Sequence, residues 1–257
     1  MTLLGAFTFP PIDELFRWKD LAFEDTFYAI NKTSLLVFIS SIVILALFIG
    51  GSRRMKLHPA GVQNVLEMTY EFVDGGITRD VVGQEDTRYT PFLGSLFLFI
   101  LFLNVWEIVP FLQFPPTARF AIPLYLALQT YVIFLFVGFK HQGFKYFTGH
   151  LFPPGVPLVA KPLLAIIEFV SVFLVRPFSL AVRLLANMMA GHILLTALSL
   201  LTAYAINNEG ILKLVTIGPF LLNIGVTAFE ILVAFLQAYI FTLLTALYIG
   251  DSLHPEH

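Results

Sequence analysis

The stretch LKLVTIGPFLLNIGVTAFEILVAFLQAYIFTLLTALYI, residues 212–249, decides the fold class of this protein. Its charged side chains are Lys213 and Glu230, and most of its other residues are apolar. An α-helix needs about 20 mostly apolar residues to cross the hydrocarbon core of a bilayer. This stretch therefore predicts one long membrane-spanning helix, and several earlier parts of the chain predict the same kind of element.

The composition of the whole chain indicates a protein embedded in lipid. Of its 257 residues, 58% are hydrophobic and 12% are charged, whereas a soluble domain has about 25% charged residues. The net charge of −2 argues against a nucleic-acid partner. The chain has no cysteine, which excludes disulfides, thiol catalysis and cysteine-ligated metals. We predict no cofactor and no metal site.

Four further apolar runs complete the expected architecture, an all-α integral membrane protein with about five to six membrane helices. The expected spans are 34–49, 91–111, 121–139, 161–206 and 212–249. The fourth run is too long for one upright helix and contains Pro177, so it predicts a bent or tilted helix, or two joined pieces. Residues 58–86 mix charged and apolar side chains and predict an amphipathic helix at the membrane surface. We expect residues 1–32 to lie outside the cytoplasm and residues 33–257 to form one membrane domain.

Lysine and arginine predict the orientation, because cytoplasmic loops carry an excess of both. The loops after the first and third spans carry Arg53, Arg54, Lys56, Arg79, Arg88, Lys140, Lys145 and Lys161. The loops after the second and fourth spans carry Arg119 and Lys213. This alternation predicts an external N-terminus and a cytoplasmic C-terminus, although Arg17, Lys19 and Lys32 argue mildly the other way.

Strongly polar residues inside the last two spans indicate the functional site. Arg176 and Arg183 are seven residues apart, so they share a helix face, and Asn187 falls close to it. The last span carries a second polar stripe with the same spacing: Asn223, Glu230 and Gln237. Such side chains are costly in lipid, so both stripes must face protein or water.

The charges in these two spans allow two interpretations. Arg183 and Glu230 could form an internal salt bridge that fixes one helix to the other. Alternatively, Arg183 is buried at a helix boundary and, because it stays charged, attracts a carboxylate of another chain. Glu230 and His192 suit a hydrated proton pathway, because burial can move their titration towards neutral pH. A single histidine more often has a structural role. A role of His192 in proton transfer is therefore favoured only by its position beside the helix that carries Glu230.

The roles of two other polar pairs and of one arginine also allow two interpretations. Glu168 and Ser171 lie one turn apart, and so do Asn104 and Glu107. Each pair could cap or anchor a helix end, or could line a water-filled entrance. Arg176 precedes Pro177, and its guanidinium could simply extend to the membrane interface.

The chain resembles subunit a of the F-type ATP synthase in five motifs. They are RLLANMMAGH at 183–192, EILVAFLQAYIF at 230–241, EFVS at 168–171, RP at 176–177 and NVWEIVP at 104–110. The resemblance extends from about residue 33 to the end of the chain. The paired motifs on the last two long helices are the most specific part of it.

The resemblance implies a role for each polar residue. Arg183 would be the essential arginine that faces a carboxylate of the neighbouring ring of c subunits, with Asn187 and Gln237 as its polar neighbours. His192 and Glu230 would form the histidine and acid pair of the half-channel open to the outside, and which of them transfers the proton stays open. The outer entrance would lie near Asn104 and Glu107, and the cytoplasmic half-channel near Glu168 and Ser171.

The same resemblance implies a function and a set of partners. The chain would conduct protons in the Fo sector and couple their flow to rotation of the c-ring, while ATP is made on other subunits. The implied partners are the c-ring, the subunit b stalk, the F1 sector through the stalks and the lipid bilayer. The expected location is a bacterial plasma membrane, with a mitochondrial inner membrane as the alternative. Proton or sodium preference and the number of c subunits depend on the ring.

Two other classes of membrane protein are the rivals. A secondary ion transporter often has paired halves with broken helices around a central site, and the sequence has no matching halves. An intramembrane metalloprotease would need a motif such as H-E-x-x-H, which the sequence lacks.

Overall fold

The computed structural model of the protein describes residues 10–11, 16, 30–53, 55–84, 86–109, 112–143, 146, 160–207 and 216–253. Most of the expected external segment, residues 1–32, lies outside the described residues. So do the ends of two expected spans, at 110–111 and 212–215, and the loop cations Arg54, Lys145 and Lys213.

Six long helical elements make up the described chain. They are α1 (Lys32–Ser52), α2 (Val62–Val73), α3 (Thr90–Val105), α4 (Ala121–Gln142), α5 (Lys161–Asn207) and α6 (Ile217–Leu253). All except α2 are long and apolar enough to cross a membrane, when α3 is counted with the short 3₁₀ turn before it. The prediction of an all-α integral membrane protein is confirmed.

Local signals in the sequence set several of the helix ends. Asn31 caps α1, because its side-chain oxygen accepts a hydrogen bond of 3.0 Å from the Ser34 N–H. Pro91 stands in the first turn of α3, where its missing N–H has no cost. Gly143 ends α4 at φ 59°, a conformation that glycine adopts without strain, and its N–H donates to the Phe139 carbonyl at 2.8 Å. These ends fix where each helix enters the bundle.

The long helix α5 is continuous, which decides between the two alternatives for residues 161–206. Its residues Ser171–Val175 form a π-helical stretch, in which the Arg176 N–H donates to the Ser171 carbonyl five residues earlier. Pro177 follows directly and has no N–H to donate to Phe173. The wider π turn is a common way to accommodate such a break. The helix therefore passes the proline without dividing into two pieces.

The segment between α1 and α3 is helical, as expected, but it differs from a simple surface helix. In α2, Val65 and Met68 are exposed, which suits contact with the membrane. The helix continues as a π-helix over Asp74–Val82, and Ile77 and Val82 are fully buried in the main core. This second half packs against α6, so residues 74–82 belong to the bundle rather than to its surface.

The last helix, α6, is the centre of the bundle. It packs against α3, α4, α5 and the π-helix, while α1 lies at the edge against α2 and α3. A buried stripe of small residues explains its position: Ala234, Ala238, Thr242, Ala246 and Gly250. Small residues at this spacing let neighbouring helices approach closely, which is the main source of packing energy between helices in lipid.

The bundle has two chemically different ends. At one end, α1 meets α2 where Gly51 contacts Leu66, and the end of α6 meets α4 where Gln142 Nε2 donates to the Ser252 carbonyl at 2.7 Å. We call this the basic end, because the helix ends and loops there carry Arg53, Lys56, Arg79, Arg88, Lys140 and Lys161. The opposite end, here the Glu107 end, contains the loop after α3.

Candidate functional site

Helices α5 and α6 run antiparallel and hold most of the candidate residues at a fixed register. Near the Glu107 end, Asn223 Nδ2 donates to Ser199 Oγ at 3.1 Å. Two turns further along α5, Gly191 contacts the carboxyl group of Glu230. At the basic end, Arg176 reaches the last turn of α6. This register places Arg183 roughly level with Gln237, about 12 Å along α5 from Gly191.

Arg183 is exposed on the described chain, and its burial at a boundary with another chain stays a prediction. It lies on a stripe of α5 with Ala186, Ala190 and Leu194, all exposed, whereas the buried stripe runs through Leu184 and lies on another face. The reason is that α4, α6 and the turn Pro116–Ala118 pack against other faces of α5 and leave the arginine stripe uncovered. The Arg183 side chain is therefore accessible on the described chain, on the same face as Ala186 and Ala190.

Arg183 has no acidic partner among the described residues. The described residues form the ion pairs Arg79–Asp74, Arg88–Asp86 and Arg176–Asp251, and none includes Arg183. The internal salt bridge with Glu230, one of the two interpretations of the sequence, is therefore not formed. A permanent cation that no described acid neutralises can attract a carboxylate that arrives from outside.

Two carboxyl groups are buried close together near the Glu107 end. Glu107 is 2% exposed and Glu230 is 4% exposed. Both side-chain oxygens of Glu107, and Oε2 of Glu230, lack a hydrogen-bond partner among the described residues. The two carboxyl groups are near enough for their charges to interact. Burial of charged, unpaired carboxylates is costly, so this arrangement favours proton uptake or hydration at the pair.

Gly191 makes room for the Glu230 carboxyl group. A Cβ atom at position 191 would lie 2.6 Å from Cδ and Oε2 of Glu230, and 2.7 Å from Oε1. The missing side chain lets α5 press directly against the acid. The sequence alone assigns no role to this glycine, because a glycine in a helix does not reveal what lies opposite.

His192 is buried beside this acidic pair. It is 8% exposed, and its ring contacts two phenylalanine rings, Phe114 in the loop after α3 and Phe16 in the N-terminal region. His192 follows Gly191, the residue that contacts the Glu230 carboxyl group, in the same turn of α5. The structure thus places Glu107 and Glu230 close to each other, with His192 at a neighbouring position on α5.

Asn104 has a structural role in this arrangement. It is fully buried, accepts a hydrogen bond of 2.8 Å from the Thr117 hydroxyl, and donates to the Ala234 carbonyl at 3.4 Å. It therefore ties α3 to the following loop and to α6. Of the two roles left open for the Asn104 and Glu107 pair, anchoring describes Asn104, while Glu107 keeps its unpaired carboxyl group.

At the basic end, Arg176 is held by the last turns of α6. Its Nη1 lies 3.3 Å from Asp251 Oδ2, and its guanidinium lies 4.9 Å from the centre of the Tyr248 ring. The side chain is 23% exposed, so it combines an ion pair with partial access to water. Asp251 and Tyr248 were not among the predicted site residues, because a single acid and a single tyrosine three residues apart at the end of a helix give no distinctive signal.

The remaining predicted residues are divided between the two helices. Gln237 is buried in α6, and Asn187 and Asn223 are half-buried. Glu168 and Ser171 are half-buried in α5 on the basic side of Arg183, Ser171 being the first residue of the π-helical stretch. The polar residues thus lie on both sides of the level of Arg183, and Gln237 lies close to that level.

Comparison with known proteins identifies the family. A sequence profile described as ATP synthase A chain matches residues 34–250. A protein of Frankia alni named ATP synthase subunit a is 42% identical over 96% of this chain and 87% of its own length. A protein of the same name from Rhodococcus erythropolis is 39% identical over 100% of this chain and 94% of its own. Another, from Rhodopseudomonas palustris, is 42% identical over 89% and 90%. The chain belongs to the ATP synthase A chain family.

Proposed function

We propose that this chain, as subunit a of an ATP synthase, conducts protons through two offset half-channels and holds Arg183 between them. The observation that carries the proposal is the position of Arg183. It is an exposed cation with no acidic partner within the described ranges, at a level between polar residues of the two ends of the bundle. A single continuous channel would not need a fixed charge at the crossing point.

The outer half-channel would use the buried group at the Glu107 end. Protons would be taken up by Glu107, His192 and Glu230, which are all buried. A buried carboxylate without a hydrogen-bond partner is unfavourable, so the two acids would bind a proton or be hydrated by water in the channel. From there a proton would pass to a ring carboxylate supplied by a c subunit. A protonated carboxylic acid can turn into lipid at far lower cost than an ionised one.

Arg183 would act on the ring carboxylate by electrostatics. Two unit charges about 4 Å apart attract by about 4 kcal/mol at an effective dielectric constant of 20. That attraction favours loss of the proton from a carboxyl group that reaches Arg183. Because the guanidinium keeps its own charge, it also repels protons and hinders direct leakage between the half-channels.

The inner half-channel would lie on the basic side of Arg183. Glu168 and Ser171 are half-buried there, at the start of the π-helical stretch. Arg176 contacts Asp251 and is partly accessible to water. A released proton would leave by this route. Each elementary charge that crosses gains about 2.3 kcal/mol per 100 mV of membrane potential, and this work would turn the ring.

The location and partners follow from the same proposal. The concentration of lysine and arginine at the basic end supports a cytoplasmic position for that end, with the C-terminus inside. The bacterial relatives support a plasma membrane. The c-ring would contact the open Arg183 stripe, and the subunit b stalk and F1 would complete the complex.

The test is replacement of Arg183 in the assembled enzyme. We expect Arg183→Ala to abolish ATP-driven proton pumping in inverted membrane vesicles while the complex still assembles. Arg183→Lys should fail as well, because an ammonium lacks the forked, permanently charged donor set of arginine. Lys161→Ala, which removes a different cation of α5, is the matched control and should keep pumping. Coupled pumping by the Arg183→Ala enzyme would refute the proposal.

A further inference from the structure

The imidazole of His192 contacts two phenylalanine rings that come from distant parts of the sequence. The Phe16 ring is 5.3 Å from the imidazole centre at an interplanar angle of 58°. The Phe114 ring is 5.8 Å away at 87°, an edge-to-face contact. Both distances fall within the range in which aromatic rings attract each other in a specific orientation.

Each ring is attached to the bundle by a cationic side chain that binds a backbone carbonyl. Arg119 donates two hydrogen bonds to the Phe16 carbonyl, at 3.1 Å from Nε and 2.9 Å from Nη2. Lys32 Nζ donates to the Leu112 carbonyl at 2.7 Å, two residues before Phe114, and also lies 5.9 Å from the Phe114 ring centre. Hydrogen bonds from charged donors are stronger than those from neutral donors, so both bonds restrict the movement of the backbone that carries the two rings.

The loop that carries Phe114 is itself packed into the protein. Phe114 is fully buried, and so are the residues after it up to Ala118. The Phe114 N–H donates to the Trp106 carbonyl at 3.4 Å, which ties the loop to the end of α3. A buried loop with two consecutive prolines gives the ring little freedom to move away from the histidine.

We propose that Phe16 and Phe114 are positioning residues that clamp the His192 imidazole in one orientation and shield it from bulk water. Two rings at different angles restrict the rotation of the imidazole about its side-chain bonds. The direction in which its nitrogens point would then be set by the clamp. This inference rests on the proposed role of His192 in proton uptake, and it assigns a function to one residue of the N-terminal region.

The shielding can be measured directly, because the chain has no cysteine of its own. In the complete ATP synthase, His192→Cys provides a single thiol in this subunit for a membrane-impermeant maleimide applied to either face. Phe16→Ala or Phe114→Ala should raise the labelling rate several-fold, because loss of either covering ring makes local opening around position 192 easier. Phe16→Tyr, which keeps a ring in place, should leave the labelling slow.

Two controls separate the clamp from general loosening. Phe120→Ala removes an exposed phenylalanine at the start of α4 and should not change the labelling rate. Arg119→Gln releases the Phe16 carbonyl without altering either ring and should raise the rate. The clamp is overturned if the rate is unchanged in both alanine variants, or if Phe120→Ala raises it equally.

The positioning role needs a second readout, ATP-driven proton pumping. We expect Phe16→Ala to slow pumping several-fold when His192 is present, and Phe16→Tyr to restore it. In a His192→Gln background, Phe16→Ala should cause no further loss, because both changes would act through the same imidazole. An independent, additive loss would overturn positioning. If His192→Gln pumped normally, the proposed role of His192 would fail, while the labelling experiment would still decide whether the shield exists.

Discussion

Replacement of Gly191 by alanine tests the contact on which the acidic site depends. The added Cβ would lie 2.6 Å from Cδ of Glu230, whereas non-bonded carbon atoms prefer about 3.5 to 4.0 Å. The carboxyl group or the whole helix must therefore move by about 1 Å. Overpacking of this kind costs about 1–3 kcal/mol, which exceeds the gain of about 1 kcal/mol that alanine brings to a helix in place of glycine.

The assay combines stability with proton flux in the assembled complex. We expect Gly191→Ala to lower the thermal unfolding midpoint of the purified complex and to slow pumping. Glu230→Asp in the same chain should recover part of the stability, because the shorter acid withdraws from the new methyl group. Gly225→Ala is the matched control on α6, since a Cβ there meets no atom within 4 Å. The reasoning fails if Gly191→Ala melts and pumps like Gly225→Ala.

Three further substitutions test other contacts. Gly250→Ala would bring a Cβ to 2.6 Å from the Val81 carbonyl oxygen. Because backbone atoms cannot move away easily, we expect the stability to fall by about 1–3 kcal/mol, measured as a lower unfolding midpoint. Thr117→Val keeps the shape of the side chain but leaves Asn104 Oδ1 without its donor. A loss of about 1–3 kcal/mol in the same measurement is expected, and an unchanged midpoint would contradict it. Glu230→Gln should slow proton uptake, and equal flux at every pH would remove this acid from the pathway.

The membrane architecture could be predicted from the sequence because apolar length is a strong signal. The start of α4 was expected at residue 121 and is found there. The end of α3 was less accurate: the expected span continues to 111, but the helix ends at Val105, since the chain turns into the buried loop around Phe114. Apolarity alone does not distinguish a spanning helix from an apolar loop packed inside the bundle.

The candidate site could be predicted as a set of residues but not as a geometry. Seven-residue spacing correctly placed Arg183 on one face of α5, yet its exposure depends on which face α6 covers. Contacts between distant residues left no local pattern. The fit of Gly191 against Glu230 and the meeting of Phe16 with His192 are of this kind. Such details follow from the packing of whole helices, which a single sequence does not specify.

The contact between Gly250 and the Val81 carbonyl has a consequence for biosynthesis. The last turn of α6 fits against backbone that was synthesised some 170 residues earlier, so it can dock only on a π-helix already in place. Contacts between residues so far apart in the sequence form late in folding. The central helix of the bundle is thus made after the other five, and we expect those five helices to wait in the membrane as an incomplete ring around its future position.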